Sequence, residues 1–109
     1  MTRFGIKTIS LAAVISVASL SGAVMAADGA ALYVSKTCVA CHGKDGKTPI
    51  MPTYPKIAGQ NKEYAMQQMK DIKSGERSNG MTAAMKGDMH LVSDEEIAAL
   101  AEYVAGLAH

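Results

Sequence analysis

Cys38-Val39-Ala40-Cys41-His42 contains the only two cysteines of this 109-residue chain, with a histidine directly after the second. Two thiols one helical turn apart lie on the same side of the backbone. They can therefore form thioethers with the two vinyl groups at one edge of a porphyrin, and the adjacent imidazole can ligate the iron. The spacing C-x-x-C-H predicts covalent attachment of one c-type haem, with iron as its metal.

Three other sites could use a cysteine pair of this spacing. A thiol–disulfide active site requires a βαβ context and a thiol of lowered pKa, and no strand-rich segment is predicted here. A zinc site requires further ligands, and the chain offers only His42, His90 and His109, without a second cysteine pair. A structural disulfide would leave His42 without a role. The haem hypothesis is therefore favoured.

The first 26 residues have the layout of a secretory signal peptide. Arg3 and Lys7 form a basic start, residues 9–20 are apolar apart from small serines, and small residues precede Ala26. We expect cleavage after Ala26, which leaves residues 27–109 as one haem-binding domain in the periplasm. A retained membrane anchor is the alternative, but it would require about 20 apolar residues.

Few large apolar side chains remain in residues 27–109. This segment of 83 residues has no tryptophan or phenylalanine, and its aromatic residues are four tyrosines. A domain of this size has a marginal hydrophobic core. A buried porphyrin would supply the missing apolar surface, so we expect the haem-free chain to be unfolded or molten.

Three helices and no strand are predicted, which indicates an all-α fold. The first runs from about Asp28, its N-cap, to Lys36. The second begins near Asn61 and ends at Gly75, a common residue after a helix C-terminus. The third begins at Ser93 with a capping box. Loops are predicted over residues 42–60, which hold all three prolines, and over the segment between Gly75 and Ser93.

Buried faces can be assigned to the second and third helices from helical spacing. In the second helix the repeating apolar positions are Ala65, Met69 and Ile72. In the third, the capping box pairs Ser93 with Glu96, and the apolar stripe consists of Ile97, Leu100, Ala101, Val104 and Leu107 or Ala108.

The second axial ligand of the iron is left open by these patterns. Met81, Met85 and Met89 lie in the predicted loop before the last helix, and their spacing does not distinguish among them. A neutral thioether opposite histidine favours ferrous iron and raises the reduction potential. His90 is the competing ligand, and bis-histidine ligation would lower that potential.

Several stretches together resemble the class I c-type cytochromes, and are similar to the small bacterial cytochromes of the c553 and c4 types. The resemblance covers nearly all of residues 27–109. It implies a small cytochrome c fold, with three main helices around one covalent haem and the first and last helices in contact. The matching stretches are residues 38–43, 54–60, 74–79 and 92–103.

The resemblance also implies roles for single residues. His42 would be the proximal iron ligand and Cys38 and Cys41 the thioether residues. Met85 would be the distal ligand, with Met81 and then Met89 as lesser candidates. Pro52 matches the family proline whose carbonyl accepts a hydrogen bond from the proximal imidazole, and Pro49 is a lesser candidate.

The resemblance also predicts which residues bring the first and last helices into contact. Gly29 and Tyr33 would pack against the last helix near Leu100 and Tyr103.

The function implied is single-electron transfer between redox proteins of the periplasm, with no catalysis because both axial positions are filled. The alternative is a haem c sensor or enzyme subunit with an open or bis-histidine site. Residues 27–87 carry nine basic and five acidic side chains, whereas residues 88–109 carry five acidic and no basic ones. A basic region near the haem could steer an acidic partner. We expect a monomer that binds no nucleic acid and keeps no membrane anchor.

Overall fold

The computed structural model describes Gly5 and residues 27–109, and every regular element among these residues is an α-helix. Helices α1 and α3 each pack against α5, while α2 packs on α1 and α4 packs on α3. The predicted all-α fold is confirmed. The predicted signal peptide, residues 1–26, lies outside the described residues except for Gly5. The helices are α1 (Gly29–Ser35), α2 (Cys38–His42), α3 (Lys62–Ser74), α4 (Thr82–Met89) and α5 (Asp94–Ala105).

Side-chain caps define the start of each of the three predicted helices. The Asp28 carboxylate accepts hydrogen bonds from the first amides of α1, and the Asn61 side chain accepts one from Tyr64 N–H at 3.0 Å. At α5, Ser93 N–H donates to Glu96 at 2.9 Å and Glu96 N–H donates to Ser93 Oγ at 3.2 Å, which completes the capping box. These local bonds satisfy amides that have no partner within the helix.

The first and last helices touch, as predicted. A methyl group added at Gly29 would collide with the backbone of Ala99 and the side chain of Tyr103, so only glycine permits this approach. One turn further along α1, the Tyr33 ring lies 5.4 Å from the Tyr103 ring, centroid to centroid, at an interplanar angle of 53°. This tilted contact is a favourable geometry for aromatic pairs.

The hydrophobic core lies where α1, α3 and α5 meet. The predicted stripe of α5 is confirmed, because Ile97, Leu100, Ala101 and Val104 are all buried. Half-buried methionines of α3 and α4 extend this core towards the cavity described below. The buried cluster consists of Tyr33, Ile72, Met89, Val92, Ile97, Leu100 and Val104.

Residues 82–89 form helix α4, so the prediction of a loop from Gly75 to Ser93 is wrong for these eight residues. Local signals for this helix are weak, because Met81 gives it no side-chain cap and Gly87 lies inside it. Tertiary packing supplies the missing stability. Met85 and Met89 are four residues apart and pack into the core, and α4 lies against α3.

Among the described residues, no helix combines the length and the apolar character needed to cross a bilayer.

Candidate functional site

Helix α2 is a single short turn that carries both cysteines and His42. It is separated from α1 by Lys36 and Thr37, and Thr37 has a φ of 63°. This left-handed conformation is unusual for a β-branched residue. It ends α1 and allows the next turn to start in a new direction. The Thr37 hydroxyl donates to the Lys36 carbonyl at 2.7 Å and lies 3.1 Å from Asp88 Oδ2.

Cys38 and Cys41 are half-buried free thiols that line one cavity. Burial raises the pKa of the Cys38 thiol to about 11. Reactive cysteines of thiol–disulfide proteins have lowered pKa values, so Cys38 does not resemble one. Within the part of the chain that the structure describes, no group of three or more His, Cys, Asp or Glu side chains could hold a metal ion.

His42 ends α2 and is buried, with 6% of its surface exposed. Its Nδ1 lies 3.0 Å from the carbonyl oxygen of Pro55. Because a carbonyl oxygen can only accept a hydrogen bond, this contact assigns the proton of a neutral imidazole to Nδ1. The lone pair is then on Nε2, the state in which histidine ligates a metal.

The carbonyl partner of His42 is therefore Pro55, and the prediction of Pro52 for this role is wrong. Pro52 is exposed and lies in a turn that is closed by a hydrogen bond from Tyr54 N–H to the Met51 carbonyl. The Pro55 segment returns to the site because the amides of residues 57 and 58 both donate to the Gly46 carbonyl, at 2.8 and 3.0 Å. Pro49, the lesser candidate, does not make the contact either.

A cavity of about 420 Å³ is bounded by α2, α3, α4 and the segment around Pro55. This volume is within the usual range of about 300–1,000 Å³ for ligand sites. Both cysteines, His42 and all three candidate methionines line it. The three methionines differ in exposure, because Met81 is 48% exposed, Met85 is half-buried and Met89 is only 3% exposed within the core.

These residues fit a covalent haem. Two thiols on one helical turn, an imidazole with a free Nε2 lone pair and a mostly apolar cavity share one site. Thiols supply the thioether bonds, and the imidazole supplies a nitrogen ligand of fixed tautomer.

Comparison with known proteins gives the same result. The family model "Cytochrome c" matches residues 26–108. The chain belongs to the cytochrome c family. Members of this family carry covalent haem c with iron, and Cys38, Cys41 and His42 form the attachment motif.

Several relatives and a solved structure support the assignment to the c4/c553 type. Cytochrome c4 of Pseudomonas aeruginosa is 42% identical over 88 residues, which are 79% of this chain and 42% of that protein. Cytochrome c-553 of Nitratidesulfovibrio vulgaris is 39% identical over 85 residues, covering 78% of this chain and 81% of the relative. The crystal structure of reduced recombinant cytochrome c4 from Pseudomonas stutzeri superposes with a TM-score of 0.65 at 31% identity, covering 73% of this chain.

The chain thus spans less than half of the cytochrome c4 proteins, namely 42% of the Pseudomonas aeruginosa relative and 46% of the Pseudomonas stutzeri structure. It spans most of the shorter cytochrome c-553.

Proposed function

We propose that this chain is a periplasmic single-electron carrier in which His42 and Met85 are the axial ligands of a haem bound through Cys38 and Cys41. The observation that supports this proposal most is the shared cavity. The two thiols, the His42 imidazole with Nδ1 engaged by Pro55, and the Met85 side chain all line it.

Met85 is favoured over its neighbours because of where each thioether lies. An axial ligand has to reach the cavity and be shielded from water. Met81 precedes α4 and is 48% exposed, whereas Met89 is part of the buried core, with 3% exposure. Met85 lines the cavity, is half-buried and is carried by a helix.

The residues of the chain then have distinct roles. Bound haem iron supplies a one-electron ferric/ferrous couple. His42 would present Nε2 while Pro55 holds its ring, and the neutral Met85 thioether would favour the reduced state. Apolar side chains of the core also line the cavity and would shield a bound haem from water. With both axial positions filled by protein, no position remains for a substrate, so we propose that the protein is not an enzyme.

Spectroscopy of the purified holoprotein tests this ligation. The ferric protein should show the charge-transfer band from sulfur to iron, and the ferrous protein should resist carbon monoxide. Rapid binding of carbon monoxide without that band would contradict the proposal and favour an open site in a sensor or enzyme subunit. A third outcome is a protein that lacks the band, has a low reduction potential and does not bind carbon monoxide. That outcome would favour bis-histidine ligation through His90, which is exposed at the end of α4.

The periplasmic location is inferred from residues 1–26. Their basic start, apolar run and small residues before Ala26 are typical of a secretory signal. The match to the cytochrome c family begins at residue 26, which supports a boundary there.

We propose other redox proteins as the donor and the acceptor. One relative, from Stutzerimonas stutzeri, is described as "Thiosulfate dehydrogenase electron acceptor" and is 36% identical over 70 residues. Such a name supports electron exchange with a redox enzyme as a role of this fold.

We propose that the basic side chains of residues 27–87 steer an acidic partner towards the haem. Two of these side chains already form ion pairs within the domain. Lys36 lies 3.5 Å from Glu96 and Lys73 lies 3.9 Å from Asp94. Lys56 and Arg77 line the cavity itself. Steering predicts that electron transfer to an acidic partner slows as ionic strength rises, and a flat salt profile would contradict it.

A further inference from the structure

The segment that leads into α4 contains an asparagine followed by a glycine, Asn79-Gly80. Both residues are exposed to solvent. Gly80 has a φ of 58°, and a methyl group added there would have no neighbouring atom within 4 Å, so the space around this backbone is open. Both residues also line the cavity. Water can therefore reach this pair while it forms part of the cavity wall.

The backbone amide of Gly80 is available for reaction. Among residues 27–109, its N–H donates to no backbone carbonyl. Such an amide can give up its proton to solvent and use the nitrogen lone pair. The side-chain carbonyl carbon of the preceding asparagine, Cγ, is the nearest electrophile along the chain, and glycine has no side chain to hinder the approach. Asparagine is a thermolabile residue of proteins, and this pair has the features that favour its loss.

We propose that Asn79-Gly80 is a site of spontaneous deamidation that places a carboxylate in the cavity wall. The Gly80 nitrogen attacks Cγ of Asn79 and closes a succinimide ring. The side-chain nitrogen leaves as ammonia, with the proton that the backbone amide gives up. Water then opens the ring at either carbonyl and restores the Gly80 N–H. Position 79 becomes aspartate or isoaspartate, and neither an oxidant nor a reductant is required.

Asn61, the other asparagine of the chain, has a different environment. Its Oδ1 accepts a hydrogen bond from Tyr64 N–H at 3.0 Å, which caps α3. The residue that follows it is Lys62, the first residue of α3. A side chain held in a cap cannot turn freely towards the next amide, and lysine hinders that approach more than glycine does. Asn61 is therefore an internal control for Asn79.

Deamidation at Asn79 changes the cavity in two ways. Negative charge in the lining favours ferric over ferrous iron, so the reduction potential falls. This effect rests on the proposed function, because it requires that haem occupies the cavity. Isoaspartate also adds a methylene group to the main chain and converts the Asn79 backbone carbonyl into part of a free carboxylate. That carbonyl accepts from the N–H and the hydroxyl of Thr82, at 3.3 and 2.6 Å, at the start of the helix that carries Met85.

The test ages wild-type holoprotein at mildly alkaline pH and follows both asparagines by peptide mapping. Enzymatic methylation of isoaspartate, together with the mass gain on exchange of an amide for a carboxyl group, locates the modified residue. We expect modification to be about tenfold faster or more at Asn79 than at Asn61, because the cap restrains Asn61 alone. Asn79→Gln is the matched control, since its longer side chain closes a ring less readily, and it should stay unmodified. Equal rates at the two asparagines, or an unmodified Asn79, would overturn the site.

Redox titration tests the effect on the iron. Asn79→Asp carries the charge of the product from the start, so its reduction potential should lie below that of Asn79→Gln. If Asn79→Asp does not yield holoprotein, aged and fresh wild type give the same comparison, and equal potentials would overturn the effect. Deamidation at Asn79 in a protein without covalent haem would support the site and overturn the proposed function. Covalent haem without deamidation would overturn the site alone.

Discussion

The imidazole of His42 has one nitrogen engaged by the Pro55 carbonyl, and this single contact determines what the other nitrogen can do. A histidine whose Nδ1 is free could present either nitrogen to a metal. With Nδ1 donating at 3.0 Å, the tautomer and the ring orientation are fixed before any metal is bound. The orientation of the proposed iron ligand is therefore set by a backbone carbonyl thirteen residues further along the chain.

Met85→Ala tests the proposed distal ligand. The holoprotein should keep its covalent haem and lose the sulfur-to-iron band, because the thioether is removed while the cysteines remain. Its reduction potential should fall, since a neutral thioether favours ferrous iron. Absorption spectra and redox titration measure both effects.

Met81→Ala is the control, because this residue also lines the cavity but is 48% exposed. It should retain the band. The opposite result, with the band kept in Met85→Ala and lost in Met81→Ala, would move the proposed ligand to Met81.

At the residue scale, the sequence predicts the groups whose chemistry is carried by a local motif. Cys38, Cys41 and His42 are adjacent, so their spacing alone places them on one turn. The Pro55 carbonyl could not be chosen over Pro52 or Pro49 in the same way. Its approach to His42 depends on the Gly46 carbonyl, which accepts from two amides of the returning loop.

Helix α4 shows which kind of helix cannot be predicted from the local sequence. Helices α1, α3 and α5 have side-chain caps that can be recognised from the sequence, and their predicted starts are confirmed. Helix α4 has no such cap and contains Gly87. It forms because α3 and the core stabilise its inner face, and that packing cannot be read from a local window.

Two lysines fix the junction between α4 and α5. Lys36 Nζ donates to the Leu91 carbonyl at 2.8 Å, and Lys73 Nζ donates to the Val92 carbonyl at 2.5 Å. They come from the end of α1 and the end of α3, and they bind consecutive carbonyls. Each lysine also pairs with an acid at the start of α5. The junction that follows the Met85 helix is therefore attached to the rest of the domain.

Lys73→Met tests this attachment, because methionine keeps most of the apolar part of the lysine side chain but cannot donate the hydrogen bond to Val92. We expect a loss of about 1–2 kcal/mol in the free energy of unfolding, since a hydrogen bond from a charged donor is removed from a partly buried carbonyl. The sulfur-to-iron band should disappear at a lower temperature than in the wild type. Lys70→Met, on an exposed position of the same helix, is the control. Equal behaviour of the two variants would contradict a role for Lys73 at the junction.

Glu96 makes the cap of α5 sensitive to acid. Hydrogen bonding to the Ser93 backbone, followed in importance by the Ser93 side chain and the charge of Lys36, lowers the pKa of its carboxyl group. A lowered folded-state pKa means that Glu96 stabilises the fold above the ordinary glutamate pKa of about 4.3. The contribution is lost as the pH falls through the lower folded-state value.

Glu96→Gln should therefore flatten the acid side of the stability profile. Glutamine can still complete a capping box, so the loss near neutral pH should be small. Urea unfolding at a series of pH values measures the profile. An acid dependence below pH 5 that is the same in the variant and in the wild type would contradict this role of Glu96.

For the whole molecule, the cavity and the core form one continuous apolar region. Three members of the buried cluster, Ile72, Met89 and Leu100, also line the cavity. Met69 and Met85 pack against that cluster and line the cavity as well. A domain of 83 residues that lacks tryptophan and phenylalanine has few other large apolar groups. Filling the cavity would therefore complete the core and bind the cofactor at the same time.

Cys38→Ser/Cys41→Ser, a variant that cannot attach haem, tests this dependence. We expect its near-UV circular dichroism to be lost and its thermal unfolding to be non-cooperative, because the cavity would have no apolar filling. The wild-type holoprotein, measured under the same conditions, should unfold cooperatively. A cooperatively folded variant with native near-UV signals would show that the helices pack stably without the cofactor.

We propose that this chain carries one covalent haem and acts as a secreted electron carrier. The intact mass of the protein purified from the periplasm tests it most directly. We predict the mass of residues 27–109 plus one haem, which would report the cleavage after Ala26 and both thioether bonds together. The mass of the same polypeptide without an added haem would contradict covalent attachment and, with it, the proposed function.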